Sequence, residues 1–256
     1  MDNDVRNQQP AMNGMEPSTI HQRLEPFAFV VADDHPSVSL AVCQICEHLL
    51  SVPAEQITTV SSSASLLELC ATYHAARNML PRIIVLDLVM PGELHRAPLV
   101  RAVCQADPDA RVVAYTSDES AFLAKAVKDA GAMAYVCKSS PTTVLADAIS
   151  SVSRGRAYTD PCIDFRAMHT HPWSNLTDSE RTMLLSFCCG ESAADIVAST
   201  GRSYSTVTTH KYNGLHKLGL RDISQLIPYL YKHGLICALD DNGMPLPDKK
   251  TVNGVS

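Results

Sequence analysis

Between Phe27 and Val152 the sequence alternates five times between a short apolar run and a longer stretch of helical periodicity, and this alternation restricts the fold more than any other feature. The runs fall at Phe27–Ala32, Gln56–Val60, Arg82–Leu86, Arg111–Tyr115 and Ala134–Val136. The helical stretches lie near Pro36–Leu50, Ala64–Arg77, Leu94–Gln105, Glu119–Ala130 and Pro141–Val152. Strands that each lead into a helix imply right-handed βαβ units: a doubly wound, five-stranded parallel sheet covered on both faces, of the flavodoxin-like α/β class. Ligands of such sheets bind at the carboxyl ends of the strands.

The residues at those ends are chemically distinctive. The first run stops at Asp33-Asp34-His35-Pro36 and the third at Asp87-Leu88-Val89-Met90-Pro91-Gly92. The fourth stops at Thr116-Ser117, and Lys138 follows the fifth. Three carboxylates gathered at one edge repel one another unless a hard cation neutralises them, and Mg²⁺ prefers oxygen ligands of this kind. A carboxylate such as Asp87 can attack a phosphoryl group to form an acyl phosphate, with a hydroxyl and an ammonium beside it to share the charge.

The segments ADDHP, DLVMPG and GAMAYVCKSSP, with the Thr116 strand end, resemble the receiver domains of two-component response regulators over roughly Phe27–Val152. The resemblance implies that Asp87 is the phosphoacceptor. It implies that Asp34 and Asp87 ligate Mg²⁺ directly, with the backbone carbonyl of Val89 as a third protein ligand and Asp33 acting through water. Lys138 would pair with the phosphoryl group, while Thr116 and Tyr135 would form a switch pair. The donor would be a sensor histidine kinase or phosphotransfer protein. The run from Gly92 to Pro98 departs from the usual loop at this border of the site, which keeps open a regulator that works through protein partners without phosphorylation.

From Ser174 to about Leu235 helical periodicity alone remains. Thr177-x-x-Glu180 before an apolar run is a capping box. Ser192 caps a second short helix, Gly201 marks a turn, and Ser203 opens a third helix that runs to about Leu218. Two short helices joined by a Gly-containing turn make a helix-turn-helix, so this unit is expected to be a small four-helix domain. The chain carries a net charge of −6, yet Thr200 to Arg221 holds four basic residues and no Asp or Glu. Arg202, Ser203, Ser205, Thr206, Thr208, Thr209, Lys211, Tyr212 and Lys217 are the candidate DNA contacts, the bases for phosphates and the hydroxyls for phosphates or base edges.

This half resembles the DNA-binding domain of LuxR/FixJ/NarL-type regulators, and the loop from Asp87 to Glu93 together with Lys217 to Leu230 resembles the Rcs-type capsule-synthesis regulators in particular. The resemblance implies a transcription regulator that binds DNA as a homodimer, with the fourth helix, Asp222–Tyr231, as a frequent dimer contact. Thr208 stands where the family often has Lys, and Gly214 where a larger apolar residue is usual. Gly214 costs about 1 kcal/mol of helix propensity. Pro228 requires a kink or a late start in the last helix.

The expected organisation is a leader over 1–25, a receiver over 26–153, a linker over 154–173, the helix-turn-helix domain over 174–237 and a tail over 238–256. No apolar stretch approaches the ~20 residues of a membrane span. The start of the chain has neither the basic nor the apolar region of a secretory signal. The nine cysteines show no framework spacing, and Cys137 is expected to be an inert strand-end thiol in a cytoplasmic protein. An enzyme that turns over an acyl phosphate would need a further acid/base and a cap over the site; neither is apparent, so Asp87 is expected to be a phosphoacceptor only.

Overall fold

The computed structural model describes residues 27–76 and 80–235. The expected leader and tail lie outside them, as does the end of the helix expected to reach Arg77. The first unit runs β1 (Ala28–Ala32), α1 (Pro36–Gln44), β2 (Ile57–Val60), α2 (Ser63–Ala75), β3 (Arg82–Leu86), α3 (Arg96–Ala106), β4 (Ala110–Thr116), α4 (Ala121–Ala130), β5 (Ala134–Cys137) and α5 (Thr142–Ser153). All strands pair in parallel, in the order β2-β1-β3-β4-β5. This is the expected doubly wound sheet.

Side-chain alternation along the strands divides the core between the two faces. Val30, Ala32, Ile84, Leu86, Val112, Ala114 and Tyr135 pack with Leu66, Leu99, Val103, Leu123 and Val127 from α2, α3 and α4. Phe29, Val31, Ile83, Val85, Val113 and Val136 pack with Val42, Leu145, Ile149 and Val152 from α1 and α5. Every residue of β3 is buried, as expected of a central parallel strand. Its first residue, Arg82, is buried too, its guanidinium held by both carboxylate oxygens of Asp107 and by the Leu80 carbonyl at 2.9 Å. An unpaired guanidinium at this depth would be prohibitive, so the pair fixes the start of β3 against the end of α3.

Two features correct the sequence reading. The expected strand count of five becomes six, because β6 (Tyr158–Thr159) adds to β5 within the stretch read as linker. The same stretch folds a further helix, α6 (Phe165–Thr170), capped by Asp164. The helix expected over Pro36–Leu50 changes winding at Ile45, where a π-helical turn continues to Leu49.

The second unit contains α7 (Asp178–Cys188), α8 (Ala193–Thr200), α9 (Tyr204–Lys217) and α10 (Leu226–Lys232). Both Thr177–Glu180 and Ser192–Asp195 form reciprocal capping boxes. A 3-10 turn over Ile223–Gln225 precedes α10, so Pro228 sits in the first turn, where a missing N–H is harmless. The late start resolves the awkward proline.

The two units touch. Phe122 of α4 packs against the cluster formed by Trp173, Leu176, Leu184, Leu226 and Leu230. His171 lies edge-on to Phe122 with ring centroids 5.2 Å apart, and 4.7 Å from His233. The Ser120 hydroxyl donates to the Gly234 carbonyl at 3.2 Å.

Candidate phosphorylation site and nucleic-acid interface

The acidic site lies where the strand order reverses between β1 and β3, the position at which open parallel sheets hold ligands. Two backbone bonds extend the sheet into it: Asp33 N–H donates to the Val60 carbonyl at 3.1 Å, and Asp87 N–H to the Ala32 carbonyl at 2.8 Å. Asp33 and Asp87 are thereby buried side by side. Asp33 Oδ1 accepts the His35 N–H at 2.9 Å, closing the turn that delivers Pro36 to the first position of α1. Asp87 Oδ1 accepts the Val89 N–H at 3.2 Å. The Val89 side chain points to solvent.

Lys138 reaches in from the end of β5. Its ammonium donates to Asp33 Oδ2 at 2.6 Å and to Asp87 Oδ2 at 2.7 Å. Burial pulls the ammonium pKa down, but the two carboxylates outweigh it and the net direction is up. Asp87 moves upward as well, because burial exceeds the help it receives from Lys138 and the Val89 N–H. Thr116 is buried at the end of β4 with its hydroxyl oxygen accepting the Asp118 N–H at 3.3 Å. Tyr135 is fully buried, and its hydroxyl donates to the Asp118 carbonyl at 2.7 Å. Thr116 and Tyr135 therefore meet at one residue, Asp118.

Carboxylate oxygens of Asp33, Asp34 and Asp87 lie, with a His35 nitrogen, within 4.8 Å of one another. Asp34 Oδ1 is buried and accepts no hydrogen bond, although His35 Nδ1 lies 2.9 Å away. Three clustered carboxylates, one with a buried oxygen that accepts no hydrogen bond, are a donor set that fits Mg²⁺. The unusual loop after Asp87 is tied down at both ends: Ser63 N–H bonds the Pro91 carbonyl at 2.9 Å and Arg96 N–H the Leu88 carbonyl at 2.7 Å. Gly92 (φ 133°) leaves no room for a side chain against Ser63, and Arg96 itself adopts φ 53°.

In the second unit α8 and α9 are joined through Gly201, which ends α8 in the left-handed conformation. Met183, Ile196 and Val207 form the small core that sets their crossing. The outward face of α9 presents Ser203, Tyr204, Ser205, Thr209, Tyr212 and Asn213. Tyr204 and Tyr212 are 62% and 66% exposed, so each offers a ring and a hydroxyl to a partner.

The remaining candidate contacts are partly engaged. Ser203 Oγ accepts the Thr206 N–H as the helix cap and lies 2.8 Å from the Thr206 hydroxyl. The Thr208 hydroxyl donates back to the Tyr204 carbonyl. Arg202 Nη1 lies 3.2 Å from His210 Nε2, and the Lys211 ammonium sits 4.5 Å from the centre of the Phe187 ring. Lys217 is different: its ammonium donates to the buried Glu180 carboxylate at 2.7 Å and to the Asn175 carbonyl at 3.2 Å. This ion pair ties α9 to the start of α7 while Lys217 stays exposed. Sequence reasoning recognised Glu180 as a cap without seeing this second partner, which comes from 37 residues away.

Gly214 also gains an explanation. A Cβ there would lie 2.8 Å from Leu184 Cδ1. Glycine is the residue that lets α9 approach α7 this closely.

Comparison with known proteins agrees with both halves. Residues 29–150 match the response regulator receiver domain, and residues 174–230 match the bacterial regulatory proteins of the luxR family. The response regulator protein VraR of Staphylococcus aureus is 27% identical over 212 residues, spanning 80% of this chain and 96% of VraR. Among solved structures, RcsB of Salmonella typhimurium superposes with a TM-score of 0.55 at 22% identity, over 79% of this chain and 98% of that one. A structure of two RcsB dimers bound to two parallel DNAs gives the same TM-score and identity, with 96% of that chain covered. At this identity the structural likeness speaks for the fold. With an acidic pocket at the sheet's reversal point and a helix-turn-helix behind it, matched in order by those two family descriptions, the chain belongs to the response regulators with a receiver domain and a LuxR-type DNA-binding domain.

Proposed function

We propose that Asp87 accepts a phosphoryl group from a phosphohistidine on a sensor kinase or phosphotransfer protein, and that this modification controls DNA binding by α9 in a bacterial cytoplasm. The observation that carries the proposal is the clamp of Lys138 on both Asp33 and Asp87, beside the Asp34 carboxylate. In the transfer, an Asp87 oxygen attacks phosphorus, the N–P bond breaks, and the imidazole leaves with its electron pair. Lys138 then exchanges its bond to Asp87 for one to a phosphoryl oxygen, and the Thr116 hydroxyl donates to another. Asp33, Asp34, Asp87 and the Val89 carbonyl would hold Mg²⁺, whose contribution is to neutralise the crowded oxygens. Once Thr116 turns toward the phosphoryl group it releases the Asp118 N–H, and Tyr135 repacks into the space it leaves.

Arg202, Ser203, Ser205, Thr206, Thr208, Thr209, Lys211 and Tyr212 then form the DNA surface, each copy of a homodimer reading one half-site. Lys217 adds a further cation to this surface from its exposed position and also seats α9 through Glu180. Acetyl phosphate with Mg²⁺ should label the wild-type protein and leave Asp87→Asn unlabelled; equal labelling of both would overturn the assignment. The pinned loop after Asp87 gives a partner-driven, phosphorylation-independent regulator as the second reading. Equal operator affinity with and without a phosphoryl mimic would favour it.

A further inference from the structure

Cys137 ends β5, and Cys162 lies just beyond β6, in the stretch read from sequence as linker. Their sulfurs lie 3.2 Å apart. Asp160 organises the pair from between: one carboxylate oxygen accepts the Cys137 N–H at 3.0 Å and the other the Cys162 N–H at 3.0 Å. Cys137 is fully buried, while Cys162 is exposed. An accessible thiol with a shielded thiol in contact behind it is the arrangement of an attacking and a resolving cysteine.

We propose that Cys137 and Cys162 form a dithiol site that reacts with low-molecular-weight disulfides and closes to an intramolecular disulfide. In the first step Cys162 Sγ attacks one sulfur of the small disulfide; the S–S bond breaks, and one small thiol leaves, taking up the proton lost from Cys162. In the second, Cys137 Sγ attacks the Cys162 sulfur of the mixed disulfide, and the second small thiol leaves with the proton from Cys137. Two protein thiols are oxidised and one disulfide is reduced to two thiols. The backbone bonds to Asp160 hold the two residues for the second step, so ring closure outcompetes a further encounter with external thiol.

The same three residues also bring donor atoms together as a metal site would, with atoms within 4.8 Å. Both Asp160 oxygens already serve backbone N–H groups while the two sulfurs touch each other, and this geometry favours the dithiol. The bridge would fasten the segment ahead of α6 to the end of β5, one residue from Lys138. Any effect on signalling rests on the function proposed above, whereas the chemistry of the site does not.

The test is oxidation of the full-length native protein with oxidised glutathione, followed by alkylation, non-reducing digestion and mass spectrometry. The expected product is a peptide pair joined through Cys137 and Cys162, lighter by two hydrogens and restored by dithiothreitol. Cys162→Ser should abolish it. Cys137→Ala should leave Cys162 trapped as its glutathione adduct, raising that adduct on the order of 10-fold over wild type. A stable Cys162–glutathione adduct in the wild type overturns the proposal, as does pairing of either cysteine elsewhere. One bound zinc per chain that shields both thiols from oxidised glutathione also overturns it, in favour of a metal site. Asp87 labelling in the same samples reports separately on the receiver.

Discussion

Replacing Gly214 by Ala sets two effects of opposite sign against each other. In an open helix the change stabilises by about 1 kcal/mol, because alanine loses less backbone freedom than glycine. At this position the new Cβ would stand 2.8 Å from Leu184 Cδ1 and 3.1 Å from its Cγ, against an ordinary contact of 3.4 Å or more. Leu184 is fully buried in the cluster with Trp173 and Leu215, so a close-packed core must give way, either at Leu184 or by α9 withdrawing from α7. Overpacking of this kind costs about 1–3 kcal/mol. The net expectation is a loss of about 1 kcal/mol, or about 4–8 °C in melting temperature for a domain of this size. The chain has a single tryptophan, Trp173, buried in that same cluster, so its fluorescence reports melting of this unit within the full-length protein. Operator affinity should fall alongside if α9 carries the DNA surface as proposed. A variant that melts higher than wild type would refute the close approach as the reason for glycine.

Lys138→Met removes the ammonium between Asp33 and Asp87 and leaves two buried carboxylates facing each other. Urea unfolding followed by circular dichroism should show a loss of about 3 kcal/mol without divalent ions, with Mg²⁺ recovering more stability in the variant than in wild type. Burial raises the Glu180 carboxyl pKa, but the hydrogen bonds from Lys217 and Thr177 outweigh it and hold the group below 4.5. Its stabilising effect is therefore complete above pH 4.5 and is lost as pH falls through the lower folded value, and Glu180→Gln should flatten that acid limb in Trp173 fluorescence. Burial holds His171 and His233 below 6.5, each further lowered by a neighbouring base, His233 for the former and Lys232 for the latter. Separated units would bind more protons in the window beneath 6.5, so the joint is firm above that pH and loosens as pH falls through it. Small-angle scattering should register a larger radius of gyration at pH 5.5 than at 7.5, and His171→Phe should remove most of the difference.

The acidic site was legible because its chemistry is local to strand ends. A parallel strand buried on both faces reads as an unbroken apolar run, and such a run stops where the chain meets the ligand edge, so Asp33, Asp87, Thr116 and Lys138 announced themselves. What escaped depends on partners distant in sequence. Arg82 looked like the polar start of a strand until Asp107 met it. Lys217 read as a phosphate contact alone, because its bond to Glu180 spans 37 residues of sequence. Gly214 looked like a defect because propensity reports on a helix alone, while its reason lies on α7. Tyr158–Thr159 is too short to leave a periodic signature and pairs only because α5 returns the chain beside β5. The sulfur contact of Cys137 follows from that same return.

The joint between the units lies close to the site in hydrogen bonds as well as in sequence. Thr116 Oγ1 accepts the Asp118 N–H, and the Asp118 carbonyl accepts the Tyr135 hydroxyl. The Asp118 carboxylate accepts the Ser120 N–H at 2.8 Å, and Ser120 in turn caps α4 and donates its hydroxyl to Gly234, just past α10. Two residues on, Phe122 packs into the core of the DNA-binding unit. The proposed movement of the Thr116 hydroxyl would therefore act first on the segment that holds the second unit, across one loop of four residues. Gly234, at φ 62°, has no room for a side chain against Ser120, so the contact closes through backbone on one side and a short hydroxyl on the other. Such a contact has little side-chain slack with which to absorb a shift in the loop; it either holds or parts. That is the mechanical property a phosphorylation-dependent release of the DNA-binding unit requires.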